Sequence, residues 1–278
     1  MTGAEAIARA ANRLEQAGVD SPLVDAEWLA ARVLGMSRSE LALEPHRVLT
    51  DAQAAELEHL VARRVAREPL AYVLGEWGFR RLTLKVDRRA LVPRPETEIV
   101  VERCLEHLRG LAEPAVLDVG TGSGAIALAV ADEHPGARVT AIDVSADALA
   151  LARENAEATG LDVTFDLCDL RDGLGGTYDL VVSNPPYVAA DEIDALQPEV
   201  RDWEPRIATV GDEHTRLLAA AARGVLRPGG WLVLEVGEGT AADVAGLLAS
   251  LGFERVATTP DLAGRDRVVE GRWASSRS

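Results

Sequence analysis

The chain has 278 residues, 47% of them hydrophobic and 27% charged, which is enough for one α/β domain and a small accessory domain. Its formal net charge of −16 argues against DNA or RNA as the main partner, because an acidic body repels phosphate backbones. No apolar run approaches the roughly 18–20 residues of a membrane span, and no signal segment is visible at the start. We therefore expect a soluble, cytoplasmic protein. We also expect a monomer.

Thiol and imidazole groups show no pattern of metal ligation. The two cysteines, Cys104 and Cys168, fall in separate predicted elements, and the five histidines are scattered without paired spacing. A zinc site or a disulfide framework needs more thiols or closer spacing. We predict no structural metal.

One segment departs from the overall acidity. Between Arg80 and Arg94 six basic residues face a single acid, Asp87. The segment is either a solvated hairpin whose basic edges discourage pairing with other strands, or a docking patch for an anionic partner. We favour the hairpin, and we expect no stable nucleic-acid partner.

Residues 1–75 are typical of a small helical bundle. Apolar residues recur at helical spacing up to Leu14, and the capping residues Ser21, Ser37 and Thr50 begin further helices. The segment carries no constellation of catalytic groups. We predict a helical domain that recognises a partner.

We predict a β-hairpin connector over residues 76–92 and a catalytic domain over residues 93–278. In the latter, apolar runs alternate with helical stretches, which indicates a mostly parallel sheet covered on both faces. The last two runs lack a full helix between them, so we expect them to pair antiparallel. The predicted strands are Val116–Val119, Val139–Ile142, Val163–Leu167, Leu180–Val182, Trp231–Val236, Phe253–Thr258 and Arg267–Gly271. The predicted helices of this domain include Glu96–Leu108, Ala125–Glu133 and Asp147–Thr159.

A glycine-rich motif, Asp118-Val119-Gly120-Thr121-Gly122-Ser123-Gly124, stands between a predicted strand and a helix. Glycines let the chain turn sharply and bring its backbone against a ligand. The motif leaves the ligand open, since a G-x-G-x-x-A pattern of nicotinamide-dependent enzymes also fits it through Ala125. The predicted cofactor contacts are Gly120, Thr121, Gly122, Ser123 and Gly124.

Two acidic residues follow the next two strands. Asp143, 19 residues after Gly124, is placed to accept hydrogen bonds from both ribose hydroxyls of an adenosine-containing cofactor. Its alternative role is to cap the following helix, which Ser145 can do instead. Asp169 is placed to meet the adenine amino group.

The motif Asn184-Pro185-Pro186-Tyr187 follows the fourth strand at the carboxyl edge of the sheet, where ligands bind in such folds. An amide nitrogen is a poor nucleophile because its lone pair is delocalised. Two acceptors, the Asn184 side-chain oxygen and the Pro185 carbonyl, can push that lone pair toward tetrahedral geometry. The prolines stiffen the loop, and Tyr187 can stack on a flat substrate group. We predict that all four residues bind the substrate and that Asn184, Pro185 and Tyr187 are catalytic, mainly by positioning.

The order of these motifs resembles the protein-(glutamine-N5) methyltransferases that modify peptide chain release factors. The match extends over nearly the whole chain. It implies an α/β fold, a Rossmann-like class I methyltransferase sheet with a C-terminal antiparallel hairpin, preceded by a small helical bundle. The segments that carry it, besides the glycine loop and Asn184-Pro185-Pro186-Tyr187, are Glu68-Pro69-Leu70-Ala71-Tyr72, Leu91-Val92-Pro93-Arg94-Pro95-Glu96-Thr97-Glu98, Trp203-Glu204-Pro205-Arg206 and Asp261-Leu262-Ala263-Gly264-Arg265-Asp266-Arg267.

The resemblance implies S-adenosyl-L-methionine as the cofactor and class I release factors as the protein substrates. The methylated residue would be the glutamine of their Gly-Gly-Gln loop, a modification that belongs to translation termination. By position, Gly120 to Gly124, Asp143, Asp169, Leu170 and Asn184 would contact the cofactor, and Asn184 to Tyr187 would hold the glutamine. Family members often have an aromatic residue where Leu170 stands. Arg94 and Thr97 are further candidates for the border of the pocket.

Other functions stay open at this point. Asn-Pro-Pro-Tyr also occurs in adenine-N6 DNA methyltransferases, which must grip a duplex and flip a base. An RNA or ribosomal-protein methyltransferase is a related alternative. A nicotinamide-dependent oxidoreductase fits the glycine loop but leaves Asn184–Tyr187 unexplained, and a cofactor-binding adaptor would bind without transfer. The segments Trp203–Arg206 and Asp261–Arg267 are either functional or packing and turn elements.

Overall fold

A computed structural model describes residues 1–188, 191–209, 211 and 213–274 of the chain. Its α-helices are α1 (Gly3–Gln16), α2 (Pro22–Leu34), α3 (Arg38–Leu43), α4 (Asp51–Val65), α5 (Leu70–Leu74), α6 (Thr97–Leu108), α7 (Ala125–Glu133), α8 (Ala146–Thr159), α9 (Pro198–Arg201), α10 (Arg206–Thr209), α11 (His214–Val225) and α12 (Ala241–Ser250). Its strands are β1 (Glu76–Phe79), β2 (Leu82–Lys85), β3 (Ala115–Val119), β4 (Arg138–Asp143), β5 (Thr164–Leu167), β6 (Tyr178–Ser183), β7 (Leu226–Glu235), β8 (Phe253–Pro260) and β9 (Asp266–Trp273).

The chain divides into two compact units. One consists of Met1–Glu76 with Gln197–Trp203, and the other of Trp77–Leu196 with Glu204–Ser278. Within the described ranges, none of the helices combines the length and the apolar character that crossing a lipid bilayer requires.

Helices α1 to α5 make up most of the first unit, so the helical bundle predicted near the start of the chain is present. The capping boxes at Ser37 and Thr50 are both present, and a third stands at Thr2. Ser21 precedes the first-turn proline of α2 without making a side-chain capping bond. The core of this unit contains fully buried leucines such as Leu14 and Leu29.

The segment Gln197–Trp203 belongs to the helical unit although it lies far along the chain. Glu199 explains the association, because it forms 2.7 Å ion pairs with Arg64 and with Arg67. Arg64 also pairs with the buried Asp25 at 2.7 Å. Local sequence patterns do not indicate this connection, since the partners are more than 130 residues apart.

The second unit is built on a seven-stranded sheet of order β5-β4-β3-β6-β7-β9-β8. Pairs from β5 to β7 are parallel, and β9 pairs antiparallel with both β7 and β8. The predicted strands and the antiparallel end of the sheet are confirmed. Strand β7 begins at Leu226, earlier than Trp231, because Leu226 pairs with Tyr178 beyond a bulge.

Alternate residues of the central strands bury against helices on opposite faces of this sheet. Val116 and Val182 pack with residues of α6 and α7. Leu117 and Val181 pack with residues of α11 and α12 on the other face. A sheet covered on both faces needs apolar residues at every position, which is why these strands appear as continuous apolar runs.

The basic hairpin segment is neutralised by acidic neighbours. Arg80 binds Glu133, Arg81 lies 2.9 Å from Asp132, and Lys85 lies 2.7 Å from Glu154. Arg89 pairs with both Asp87 and Glu154, and Arg94 pairs with Glu204. These pairs support the hairpin interpretation and weigh against a docking patch for an anionic partner.

Candidate active site

A cavity of about 470 Å³ opens at the carboxyl edge of the sheet. It lies where the loops after β3, β4 and β6 converge, as ligand sites do in open α/β sheets. All of the predicted cofactor and substrate residues line it except Gly124 and Tyr187; of the two further candidates for its border, Thr97 lines it and Arg94 does not. The predicted residues that line it are Gly120, Thr121, Gly122, Ser123, Asp143, Asp169, Leu170, Asn184, Pro185 and Pro186.

The glycine loop is held by the end of the neighbouring strand. The backbone N–H groups of Gly120 and Thr121 both donate to the carbonyl oxygen of Ile142, at 2.8 and 3.0 Å. Gly120 has a φ of +73°, and a Cβ added there would meet no protein atom within 4 Å. The missing side chain therefore leaves open space at the cavity, which suits the close approach of a ligand.

Gly124 serves packing instead. It has a φ of +84° and is the N-cap of α7, and an added Cβ would lie 3.2 Å from side-chain atoms of Ala152 and Leu128. The third glycine thus lets α7 and α8 approach each other, which explains why it does not face the cavity.

Asp143 is fixed by backbone donors from two loops. Its carboxylate accepts from the N–H of Gly122 and from the N–H of Ser145, both at 2.9 Å. The cap of α8 is Ser145, whose side chain accepts from the N–H of Ala148. Asp143 is therefore not needed as the cap of α8. Each of its carboxylate oxygens keeps a lone pair that can accept from a further donor in the cavity.

Asp169 lines the cavity but is already paired. Its carboxylate accepts from the backbone N–H of Arg171 at 2.9 Å and from the guanidinium of the same residue. These side-chain and backbone hydrogen bonds lower the pKa of Asp169 to about 2. A ligand amino group at this position would share the carboxylate with Arg171.

The loop after β6 brings Asn184, Pro185 and Pro186 to the cavity. Asn184 and the two prolines line it, and the buried Ser183 ties the loop to β3 by donating to the carbonyl oxygen of Val119 at 2.6 Å. Tyr187 lies outside the lining, with its ring so close to Gly237 that a Cβ there would approach the ring to 3.0 Å. Burial and the nearby Glu235 raise the pKa of Tyr187.

The segments left open by the sequence have different roles. Pro205 and Ile207 line the cavity, and Glu204 is buried where it accepts from the N–H of Val92 and from Arg94. The loop at Asp261 is a turn between β8 and β9. Its carboxylate accepts from the backbone N–H groups of Ala263 and Arg265, and it does not line the cavity.

Two buried acids near the site have raised pKa values. Burial raises the pKa of Asp118, which accepts a 2.7 Å hydrogen bond from Thr121, to about 7. Burial likewise raises the pKa of Glu235 to about 7, although Thr97 donates to it at 2.7 Å. Neither role is predicted from the sequence. The sequence pattern that could have indicated Glu235 is an acid at the end of an apolar strand, at the carboxyl edge of the sheet.

Comparisons with known proteins agree with this geometry. Two family profiles match: the one described as "PrmC N-terminal domain" over residues 5–75, and the one described as "Methyltransferase small domain" over residues 97–199. A release factor glutamine methyltransferase of Deinococcus radiodurans is 44% identical, covering 96% of this chain and 97% of that protein. One of Caulobacter vibrioides is 40% identical, covering 98% of this chain and 96% of that protein.

A solved structure supports the fold. The crystal structure of a methyltransferase from Pyrococcus furiosus aligns with a TM-score of 0.52 at 19% identity, covering 77% of this chain and 98% of that one. At this identity the likeness concerns the fold alone. The identities over nearly full length decide the relationship: the chain belongs to the release factor glutamine methyltransferase family.

Proposed function

We propose that the chain transfers a methyl group from S-adenosyl-L-methionine to the side-chain amide nitrogen (N5) of the glutamine in the Gly-Gly-Gln loop of class I release factors. The observation that carries the proposal is the placement of Asn184 and Pro185 in the cavity beside the glycine loop. The two proposed acceptors for a planar nitrogen and the proposed binding loop for a nucleoside cofactor therefore lie in the same cavity. Membership of the family supports the same reaction.

The residues present fit the cofactor. Gly120 leaves room for a ligand against the backbone, and Asp143 keeps lone pairs for two ribose hydroxyls. Asp169 and Leu170 border the adenine end of the cavity in this assignment. The bound cofactor supplies an electrophilic methyl group on a positively charged sulfur.

The chain's own contribution to transfer is the orientation of the acceptor nitrogen. Asn184 Oδ1 and the Pro185 carbonyl accept the two amide N–H groups and turn the lone pair away from the carbonyl of the substrate. The prolines fix the loop, so that little reorganisation is needed during reaction. Tyr187 is 37% exposed at the outer edge of the motif, and we propose that its ring stacks on the substrate amide. No general base with a pKa near 7 is required, because the proton can leave after transfer.

The helical unit supplies recognition of the protein substrate in this proposal. It matches the family profile over residues 5–75, and its sequence carries no constellation of catalytic groups. We place the protein in the cytoplasm, where release factors act, and we propose that it works as a monomer.

A nucleic-acid substrate is the principal alternative, since an exocyclic adenine amine needs the same two acceptors. The net charge of −16 and the ion pairing of the basic hairpin weigh against it. Incubation of the enzyme and cofactor with a release factor, duplex DNA and total RNA in parallel tests the proposal. Peptide mapping should locate one added methyl group on the Gly-Gly-Gln glutamine; methylation of adenine with an unmodified release factor would contradict it.

A further inference from the structure

Three side chains connect the cavity with the interior of the sheet. Asn184 Nδ2 donates to Thr97 Oγ1 at 3.3 Å, and Thr97 Oγ1 donates to Glu235 Oε2 at 2.7 Å. Thr97 begins α6 and is 4% exposed, while Glu235 ends β7 and is 2% exposed. Asn184 and Thr97 both line the cavity, whereas Glu235 lies behind them.

The donors and acceptors that these three side chains carry fix the direction of the two hydrogen bonds between them. An ionised carboxylate only accepts, so the hydroxyl hydrogen of Thr97 must point to Glu235. The hydroxyl oxygen is then left as an acceptor, and only the NH₂ end of the Asn184 amide can satisfy it. Among the residues that the structure describes, none donates to Asn184 Oδ1. That oxygen is the end left for an incoming N–H group.

We infer that Thr97 and Glu235 are positioning residues that decide which end of the Asn184 amide meets the acceptor nitrogen of the substrate. The inference rests on the proposed function, in which Asn184 must accept a hydrogen bond. An asparagine amide that is rotated by half a turn presents its NH₂ group instead. Two N–H groups would then face each other, and the lone pair of the substrate would not be turned toward the methyl group.

Protonation of Glu235 would reverse the direction of these two hydrogen bonds. A protonated Glu235 can donate to Thr97 Oγ1, which frees the hydroxyl hydrogen to point at Asn184. The amide can then accept from Thr97 and offer its NH₂ end to the cavity. The charged and titratable groups around Glu235 are Glu96, Arg94, Arg267 and Tyr187.

This account predicts a transfer rate that rises with pH as Glu235 ionises, since burial raises its pKa to about 7. Asp118 titrates in the same range, so the profile of the wild type alone does not assign the step. Glu235→Gln separates the two acids, because it removes one titration and retains the other. We expect the variant to have a flatter profile.

The first experiment measures kcat and KM for the release factor, together with the cofactor Kd, in Thr97→Val, Thr97→Ser and Glu235→Gln. Thr97→Val keeps the shape and removes the hydroxyl, so kcat should fall roughly ten- to hundredfold, with KM and cofactor Kd within about threefold. Thr97→Ser, which restores the hydroxyl, should recover most of that loss. Thermal unfolding confirms that each variant is folded.

Two matched controls lie outside the site. Thr159→Val removes a threonine hydroxyl that donates to the Asn155 carbonyl at 2.7 Å. Glu270→Gln removes a buried carboxylate, 3% exposed, that pairs with Arg103. Both should change stability without changing kcat.

A second experiment needs neither cofactor nor substrate. In the protein alone, NMR should show slow solvent exchange of one Asn184 side-chain N–H, assigned by its absence in Asn184→Ala. The protection should persist in Thr97→Ser and disappear in Thr97→Val. This result would stand even if release factors were not the substrate, so failure of the proposed function is distinguishable from failure of the inference.

Three results would overturn the inference. One is a Thr97→Val enzyme whose kcat stays within about twofold of the wild type. Another is a loss that Thr97→Ser does not recover, which would indicate packing by the threonine methyl group. The third is unchanged exchange of the Asn184 N–H groups in Thr97→Val.

Discussion

The hydroxyl group of Ser183 donates a 2.6 Å hydrogen bond to the backbone carbonyl oxygen of Val119. Ser183 is the last residue of β6 before Asn184, and Val119 is the last residue of β3 before the glycine loop. One buried bond therefore joins the two strand ends that lead into Asn184 and into the glycine loop. It adds to the parallel pairing of β3 with β6 and helps to hold the two strand ends together.

Ser183→Ala should affect both stability and transfer. Loss of the donor leaves a buried carbonyl without this partner, which costs about 1–3 kcal/mol in the free energy of unfolding. We expect kcat to fall as well, because the loop at Asn184 is less firmly held. Ser250→Ala is the control: its hydroxyl, which bonds to Leu247 on an exposed helix end, should matter by less than about 0.5 kcal/mol. Chemical denaturation and steady-state kinetics that do not distinguish the two variants would refute the role of Ser183.

Asp143→Asn should weaken cofactor binding. In the wild type the carboxylate accepts from the N–H groups of Gly122 and Ser145 through different oxygens. The amide of asparagine has only one oxygen, so its NH₂ group would face one of these two donors. We expect the Kd for S-adenosyl-L-methionine, measured by calorimetry, to rise at least about tenfold, or ~1.4 kcal/mol. Asp147→Asn, an exposed acid in the first turn of α8, provides the control. Equal affinities in the two variants would show that Asp143 does not hold the cofactor.

Asn184→Ala should remove most of the transfer while leaving the fold intact. In the proposed mechanism the lost amide is one of the two acceptors for the substrate nitrogen. Removal of a preorganised polar group in an active site costs on the order of 10²–10³ in rate. Single-turnover transfer separates this effect from product release. Near-normal transfer by a folded Asn184→Ala variant would contradict the proposed role of the Asn184 amide.

Asp118 gives a prediction for pH and stability. Burial raises its pKa to about 7, from 3.8 for the free side chain. Between these values the folded protein holds a proton that the unfolded chain has lost, so this group makes stability fall as pH rises through the interval. Asp118→Asn cannot titrate and should gain in Tm relative to the wild type between about pH 5 and about pH 8. A Tm difference that is constant, or that falls with pH, would contradict the raised pKa.

The helical unit offers a test of its own. Glu199→Ala leaves Arg67 without its carboxylate partner and Arg64 with Asp25 alone, so the free energy of unfolding should fall by about 3 kcal/mol, at the lower end for a buried pair. Asp202→Ala removes a partner of Arg201 whose pair is largely exposed, and should cost less than about 1 kcal/mol. Denaturation of the full chain compares them. Similar losses in both variants would mean that Glu199 does not anchor the segment Gln197–Trp203.

Much of the fold could be predicted because local patterns determine it. Helix α7 has the predicted bounds, and the lack of a helix between the last two apolar runs indicates the antiparallel pairing of β8 and β9. The position of Asn184 follows from the same reasoning, since a loop after a parallel strand must emerge at the carboxyl edge. These features depend on neighbours in sequence.

Other features depend on partners that are distant in sequence. Glu199 joins the helical unit through arginines more than 130 residues away, and Glu235 meets Thr97 across 138 residues. No periodicity encodes such pairs. Tyr187 shows the same limit, because its ring packs on Gly237 instead of lining the cavity, which only the tertiary structure reveals.

The proposed reaction is tested by transfer of labelled methyl from S-adenosyl-L-methionine to a purified class I release factor, beside the variant in which the Gly-Gly-Gln glutamine is alanine. We expect label on the natural factor and none on the variant. Equal label on both, or no label on either while the cofactor binds, would contradict it.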